Sequence, residues 1–323
     1  MQNVHLKMVI PPGPWTRAMV DDTVTLPGVS WECIADIGHT PDRFTATKRA
    51  DVGENGVRRL ALDVEKGAAP LAIPVFFGRE HMQLNIIVRD DSPLSDPREL
   101  AGKRVGTRHS MVAGTMVGVT LMLEQAFDIP LADIEWHSGE PEGLVNNPRG
   151  LTIKRGPRGV GENLERLLRR EVDAVIVTAG PRYWSMFGGH NLDQVLAGRS
   201  DMRSVMSEPE MIAATYKRTG LYPITDLGVV SADLPRLHPE LASRLVEAFS
   251  EANDLASRYR SSQEETLAQR EIELLGEDPH RYGLTDNARR NVTALLDLLT
   301  RMGALGRAME PEELFVPSTL GTI

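Results

Sequence analysis

Short apolar runs alternate along the chain with longer stretches in which apolar residues recur every three or four positions. The runs at 3–10, 70–78 and 173–180 are rich in branched and aromatic side chains, which favours β-strands. The stretch at 161–172 has the spacing of an amphipathic helix. Because the two patterns alternate from one end of the chain to the other, they predict an α/β fold with mostly parallel sheets.

The pattern changes in the last third of the chain. A long β-leaning stretch at 220–234 is followed by extended helical spacing. Further helices are predicted at 40–50, 110–127, 239–275 and 285–303, and a turn followed by a helix is predicted at 51–67.

Length and charge narrow the class of protein. The chain has 323 residues, more than one compact core usually takes, so two lobes are expected. A net charge of −9 argues against a nucleic-acid partner, which needs a basic face. The single cysteine, Cys33, allows neither an internal disulfide nor a cysteine metal cluster.

The distribution of apolar and basic residues predicts the cellular location of the protein. No window approaches the roughly 18 apolar residues of a membrane span. The first residues lack the basic segment and apolar run of a secretory signal peptide. We therefore expect a cytoplasmic protein without a membrane span, and the sequence leaves a homo-oligomer open.

The first candidate site is the junction between a predicted strand at 102–108 and the predicted helix at 110–127. Free backbone N–H groups and the positive end of a helix dipole would bind an anion there. Ser110 would cap the helix or offer its hydroxyl, and Arg108 or His109 would add charge-assisted hydrogen bonds. Met111 would line the same site. The alternative is a plain Ser110 cap with Arg108 in solvent.

Two further segments offer an acid, an amide and a cation. Glu54, in the predicted turn, could act as acid or base, and Asn55 could bind a substrate hydroxyl or carboxylate. Arg79 follows an apolar run and would clamp a carboxylate through two hydrogen bonds, unless it pairs with Glu80. On a continued strand, His81 would share the face of Arg79. A solvated turn is the alternative for Glu54.

The remaining candidates come at the ends of two later apolar runs. Ligands of open α/β sheets bind beyond the carboxyl ends of the strands, which makes Thr178 and Arg182 plausible contacts. Tyr222 and Asp226 lie within the run at 220–234 and could line the site, with Asp226 as a candidate acid and a hinge hydrogen bond as its alternative role. His137 is followed by two glutamates, but the spacing fits no usual metal motif, so no metal is expected.

Several phrases match one known pattern in order. They read AIPVFFGR at 72–79, SDPRELAGKRVGT at 95–107, GLYPITDLGVV at 220–230, GEDPHRYGLTDN at 276–287 and EPEELFVPSTL at 310–320. The phrases resemble the type 2 periplasmic-binding-protein fold and, within it, the 4,5-dihydroxyphthalate decarboxylase branch. The resemblance covers roughly residues 51–320.

This resemblance implies a two-lobed α/β protein with mixed sheets flanked by helices and a ligand cleft between the lobes. Lobe one would comprise 1–102 plus 220–323, and lobe two would comprise 103–219. The implied activity is that of a cofactor-independent decarboxylase, a lyase acting on a small aromatic carboxylate. Such an enzyme must fix the carboxylate and supply a proton, and His109, Glu54 and His81 are the candidate proton donors.

The sequence departs from the branch at several points. His81, Met82 and Gln83 stand where the branch has Phe-Arg-His, and Thr225 and Asp226 stand where it has Met-His. A Trp-x-Arg-Gly phrase of the branch is absent. These departures favour the alternative function, a non-catalytic solute-binding protein or sensor for a small organic anion.

Overall fold

A computed structural model describes most of the chain. The described residues are 4–34, 50–69, 71–79, 81, 86–141, 147, 149–177, 196–205 and 209–321. The predicted helix at 40–50 lies outside them, except for its last residue.

Contacts divide the chain into two compact units. The first unit is Met1–Arg79, Ile224–Thr293 and Met309–Ile323, and the second is Glu80–Pro223 and Ala294–Ala308. The predicted lobe limits differ from this division because the apolar strand that follows Arg79 pairs with strands of the second unit. A ligand position between the two predicted lobes stays a prediction.

The first unit is built on a mixed sheet. Its strands are β1 (Val4–Met8), β2 (Val29–Cys33), β3 (Val52–Gly56), β4 (Ala72–Arg79) and β11 (Ile224–Val230). Among the described residues they lie in the order β2-β1-β3-β11-β4. β1 pairs in parallel with β2 and β3, whereas β11 runs antiparallel between β3 and β4.

The first unit also contains several helices. They are Pro14–Val20, Val57–Glu65, Asp233–Leu237, Leu241–Asp254 and Ser262–Leu275, together with the first part of Asp286–Arg301. All eight residues of β4 are buried, which explains why its sequence is continuously apolar up to Arg79. Phe77 of this strand packs edge-to-face on Phe249, with 5.7 Å between ring centroids.

The second unit carries the other mixed sheet. Its strands are β5 (Ile86–Arg89), β6 (Arg104–Thr107), β7 (Glu135–Ser138), β8 (Thr152–Arg155), β9 (Ala174–Ile176) and β10 (Met202–Ser204). The described strands lie in the order β10-β5-β9-β6-β7-β8, with β6 parallel to both β7 and β9. The helices Gly114–Phe127, Val160–Leu168 and Pro209–Thr219 accompany it.

Two local predictions were wrong. Glu54 and Asn55 lie on strand β3, not in a turn, because the segment pairs with β11 along its whole length. The helix predicted from Ser110 begins at Gly114, after a non-helical turn. The sheets are mixed, as the family resemblance implied, and not mostly parallel, as the alternation of elements indicated, because β4 and β5 each pair antiparallel with a neighbour.

No helix within the described ranges is long and apolar enough to cross a membrane.

Candidate functional site

Predicted site residues of the first unit lie where β3 and β4 end and β11 begins. The register pairs Arg79 with Ile224, and it pairs Asp226 with the last residue of β3. Glu54 lies two residues before that strand end. An arginine and two carboxyl groups therefore lie close to the same strand ends.

Arg79 is held in place by the start of the helix Asp286–Arg301. Its side chain is 6% exposed, and its Nη2 donates a hydrogen bond of 2.7 Å to Asn287 Oδ1. Asn291, one turn later, donates from Nδ2 to the same oxygen at 3.1 Å and to the Asn287 carbonyl oxygen at 2.9 Å. The Arg79 guanidinium also lies over the Phe76 ring, 5.9 Å from its centroid. These contacts fix the direction of the cation.

The YGLTDN phrase explains why Asn287 reaches β4. The Gly283 N–H donates to the Pro74 carbonyl oxygen at 2.8 Å, and Tyr282 packs edge-to-face on Phe76. Thr285 Oγ1 accepts from the Ala288 N–H at 3.2 Å, next to the first turn of the helix. We did not predict a site role for Asn287 or Asn291. The phrase that contains Asn287 was visible as a family motif, but nothing in it pointed to Arg79.

Glu54 and Asp226 share one face of the sheet. Glu54 of β3 pairs with Gly228 of β11, and Asp226 of β11 pairs with Gly56 of β3. Because side chains alternate along a strand, the two carboxyl groups are diagonal neighbours on that face. Glu54 is 1% exposed and Asp226 is half-buried. Two carboxyl groups in different surroundings therefore lie on one surface.

Glycine at position 78 makes room for Asp226. A Cβ there would lie 2.2 Å from Asp226 Oδ2, far inside a normal contact. The Thr225 hydroxyl donates to the same carboxylate oxygen at 2.8 Å and also lies 3.3 Å from the Gly78 carbonyl oxygen. The missing side chain lets the carboxylate lie directly against β4.

Asn55 is separated from Glu54. The two residues are consecutive on β3, so their side chains point to opposite faces of the sheet. Asn55 pairs with Leu227 and is 4% exposed. The structure therefore does not bring the predicted amide and the predicted acid together.

In the second unit, the predicted anion site lies in the turn between β6 and the helix Gly114–Phe127. Ser110 does not cap that helix, because the N-cap residue is Ala113, which has no side-chain acceptor. Ser110 Oγ instead accepts from the Val112 N–H at 3.3 Å within the turn. Met111 is 1% exposed and packs inward. The free N–H groups of the helix therefore begin at Gly114, four residues later than predicted.

His109 carries no charge at neutral pH. Burial, together with the neighbouring Arg108 cation, lowers the pKa of the His109 imidazole to about 4. Arg108 Nε donates to His109 Nε2 at 2.8 Å, so the proton of the neutral ring lies on Nδ1. The positive charge of this turn therefore resides on the exposed Arg108, and not on the imidazole.

The end of β7 braces this turn. Ser138 Oγ donates to the His109 carbonyl oxygen at 2.7 Å, and the Gly139 N–H donates to the Thr107 carbonyl oxygen at 2.9 Å. A Cβ at Gly139 would lie 2.4 Å from the Arg108 carbonyl oxygen. The backbone around His109 is thus fixed by a strand that is distant in sequence.

His81 lies beyond the end of β4, so it does not continue the strand as predicted. It is 2% exposed and packs edge-to-face on Tyr222, with 4.3 Å between ring centroids. Tyr216 packs in turn on Tyr222 at 6.2 Å. Both predicted residues therefore belong to one buried aromatic cluster of the second unit.

His137 pairs with a carboxylate on its own strand. Its Nε2 lies 2.7 Å from Glu135 Oε1, and Arg166 Nη2 donates to its Nδ1 at 3.0 Å. The imidazole proton therefore lies on Nε2. Among the described residues, no group of three or more His, Cys, Asp or Glu side chains could hold a metal ion.

The predicted contacts Thr178 and Arg182 lie outside the described residues.

Among curated proteins, the chain is similar to an enzyme along nearly its whole length. The chain is 26% identical over 340 residues to a 4,5-dihydroxyphthalate decarboxylase of Comamonas testosteroni, covering 99% of this chain and 98% of the relative. A second 4,5-dihydroxyphthalate decarboxylase, of Pseudomonas putida, is 27% identical over 58% of this chain and 74% of its own length. No protein-family model matches the chain.

Solved structures show the fold. A putative periplasmic sulfonate-binding protein of Methylobacillus flagellatus matches with a TM-score of 0.59 and 12% identity, over 100% of this chain and 94% of its own. The desulfurization enzyme DSZB matches with a TM-score of 0.51 and 17% identity, over 98% and 97%. The α/β fold and the resemblance predicted from the sequence phrases are confirmed. Because this fold occurs in both a binding protein and an enzyme, it does not by itself decide the activity.

Proposed function

We propose that this chain, which has the periplasmic-binding-protein fold and resembles 4,5-dihydroxyphthalate decarboxylases along nearly its whole length, is a cofactor-independent decarboxylase of a small aromatic carboxylate. The observation that carries the proposal is the set of side chains at the carboxyl ends of β3 and β4 in the first unit. A fixed guanidinium, Arg79, lies there with a buried carboxyl group, Glu54, and a half-buried one, Asp226.

Arg79 is suited to hold the substrate carboxylate. A guanidinium binds a carboxylate through two parallel hydrogen bonds, and its direction matters more than its charge alone. The hydrogen bond to Asn287 and the Phe76 ring set that direction before any ligand arrives. Less ordering is then needed on binding.

Glu54 is the proton donor of the proposed reaction. Glu54 is buried close to the strand ends that carry Arg79, and a carboxyl group in such a place can act as a general acid. Glu54 would deliver its proton to the ring carbon that bears the carboxylate. The bond from that carbon to the carboxylate then breaks, the electron pair returns to the ring, and carbon dioxide leaves. Water returns a proton to Glu54.

His109 and His81 have other roles in this proposal. With a pKa of about 4, the His109 imidazole is neutral near pH 7 and offers a hydrogen bond from Nδ1 instead of a proton. Ser110 and Arg108 of the same turn stay predicted anion contacts of the second unit. His81 packs on Tyr222 in the buried aromatic cluster of the second unit and has a packing role.

Carbon dioxide release tests this proposal. The protein is incubated with 4,5-dihydroxyphthalate, the substrate that the relatives' names indicate, and with a panel of hydroxylated aromatic acids. Arg79→Gln should lose both the ligand-induced rise in melting temperature and turnover. Glu54→Gln should keep the rise and lose turnover. Arg236→Gln and Glu165→Gln, whose side chains are 67% and 68% exposed, are the matched controls.

The alternative function is a binding protein for a small organic anion. Asp226 favours it, because a carboxylate stands there where the decarboxylase branch has an imidazole. If a ligand raises the melting temperature in an Arg79-dependent way and never releases carbon dioxide, the enzyme proposal is wrong and the alternative stands. The cytoplasmic location stays a prediction, which cell fractionation tests.

A further inference from the structure

The first unit contains a cavity away from the strand ends that carry the proposed catalytic residues. Its volume is about 790 Å³, within the range of small-molecule sites. The helix Val57–Glu65 contributes Leu60 and Val64 to its wall, and the sheet side contributes Leu71 and Val229. The wall is therefore largely apolar.

One polar group in this wall has an oxygen with no hydrogen-bond partner among the described residues. Asn55 lines the cavity, is 4% exposed, and accepts no hydrogen bond at Oδ1 from any of the described residues. Leaving a buried carbonyl oxygen unsatisfied is costly, because the oxygen has given up its hydrogen bonds to water. A donor group on a bound molecule would remove that cost.

The charges around the cavity favour a neutral occupant. Asp63 is neutralised by Arg59, whose Nε lies 3.1 Å from its carboxylate. Lys66 is exposed and keeps its hydration. An ion moved against the apolar wall would lose its water without gaining a buried counter-charge.

The cavity is distinct from the proposed catalytic site. Asn55 points to the sheet face opposite Glu54. Other lining residues, Ala50 and Ser231, lie before the start of β3 and after the end of β11. These two residues lie at the opposite end of the strands from Arg79.

We infer that this cavity is a second binding site, for an uncharged and largely apolar molecule whose hydroxyl group donates to Asn55 Oδ1. Phenol is the simplest aromatic probe of this class, and toluene is its counterpart without the donor. Apolar burial would supply most of the affinity, and the hydroxyl would supply the preference.

Calorimetric titration with phenol and toluene tests the inference on the whole chain. Phenol should bind about 3- to 10-fold more tightly than toluene, the ratio expected for one neutral hydrogen bond. Asn55→Leu, similar in size and apolar, should abolish this preference while toluene still binds. Equal binding of the two probes by the unaltered protein would overturn the inference.

Variants at the mouth locate the site even if Asn55→Leu folds poorly. Ala68→Trp, at an exposed lining residue, should remove binding of both probes, whereas Ala101→Trp, an exposed alanine of the second unit, should not. Arg79→Gln should leave phenol binding unchanged, which separates this site from the proposed catalytic one. Loss of phenol binding in Arg79→Gln, or its persistence in Ala68→Trp, would contradict the inference.

Discussion

Replacing Gly139 by alanine should destabilise the second unit and displace the turn that carries His109. The added Cβ would lie 2.4 Å from the Arg108 carbonyl oxygen and 2.7 Å from the Pro157 carbonyl oxygen. Both atoms belong to the backbone, so neither can move aside by changing a side-chain rotamer. The Arg108 carbonyl group lies directly before His109, so any movement reaches the imidazole.

The size of the effect follows from these two contacts. Forcing one extra carbon into a well-packed region costs about 1–3 kcal/mol, and two backbone contacts place Gly139→Ala in the upper part of that range. Gly161 offers a matched control, because a Cβ there meets no atom within 4 Å and the residue lies in the helix Val160–Leu168. Gly161→Ala should stabilise by about 0.5–1 kcal/mol through helix propensity. The same chemical change should therefore have opposite signs at the two positions.

Urea unfolding of both variants, followed by tryptophan fluorescence, measures the difference. Trp136 is fully buried three residues before Gly139 and reports on this part of the second unit. At constant m value, the urea midpoint of Gly139→Ala should fall and that of Gly161→Ala should rise. A Gly139→Ala protein as stable as the Gly161→Ala protein would refute the steric argument.

Three further predictions follow from single contacts. Asn287→Ala should lower the free energy of unfolding by about 1.5–3 kcal/mol, because it removes a hydrogen bond to the buried Arg79 cation; an unchanged urea midpoint would contradict this. The pKa of His109 is lowered from 6.5 to about 4, so the unfolded chain binds the proton first and stability is lost as the pH falls from 6.5 towards 4. His109→Gln should show a smaller decrease in melting temperature across that pH range, and an identical decrease would rule this explanation out. Burial raises the pKa of the Cys33 thiol from 9.0 to about 11, so the folded protein should react with a thiol reagent at pH 8 about 100-fold more slowly than the urea-unfolded chain; equal rates would show that the thiol is accessible and unperturbed.

The sequence by itself determined the fold class and most elements. Apolar runs predicted β1, β4, β6 and β9, and helical spacing predicted Val160–Leu168 and the long helices of the last third. These signals are local, because burial of one face imposes a period of two or 3.6 residues on the sequence. The family phrases added the resemblance to a decarboxylase, which whole-chain similarity supports.

Only the tertiary structure decided which candidate residues lie together. Glu54 and Asn55 are neighbours in sequence but lie on opposite faces of β3, because the segment pairs with β11 as a strand. Arg79 meets Asn287 across 208 positions of the chain. Strand register and long-range hydrogen bonds arise from the packing of distant segments, and no local period in the sequence records them.

The same reason explains the turn before Gly114. Small residues after Ser110 are compatible with a helix start, and local propensity places that start too early. Ser138, the last residue of β7, and Gly139 directly after it hold the backbone of this turn in a non-helical path. The residue types of the predicted anion-binding turn were therefore readable from the sequence, whereas its conformation and the neutral state of His109 depended on the contacts that bury it.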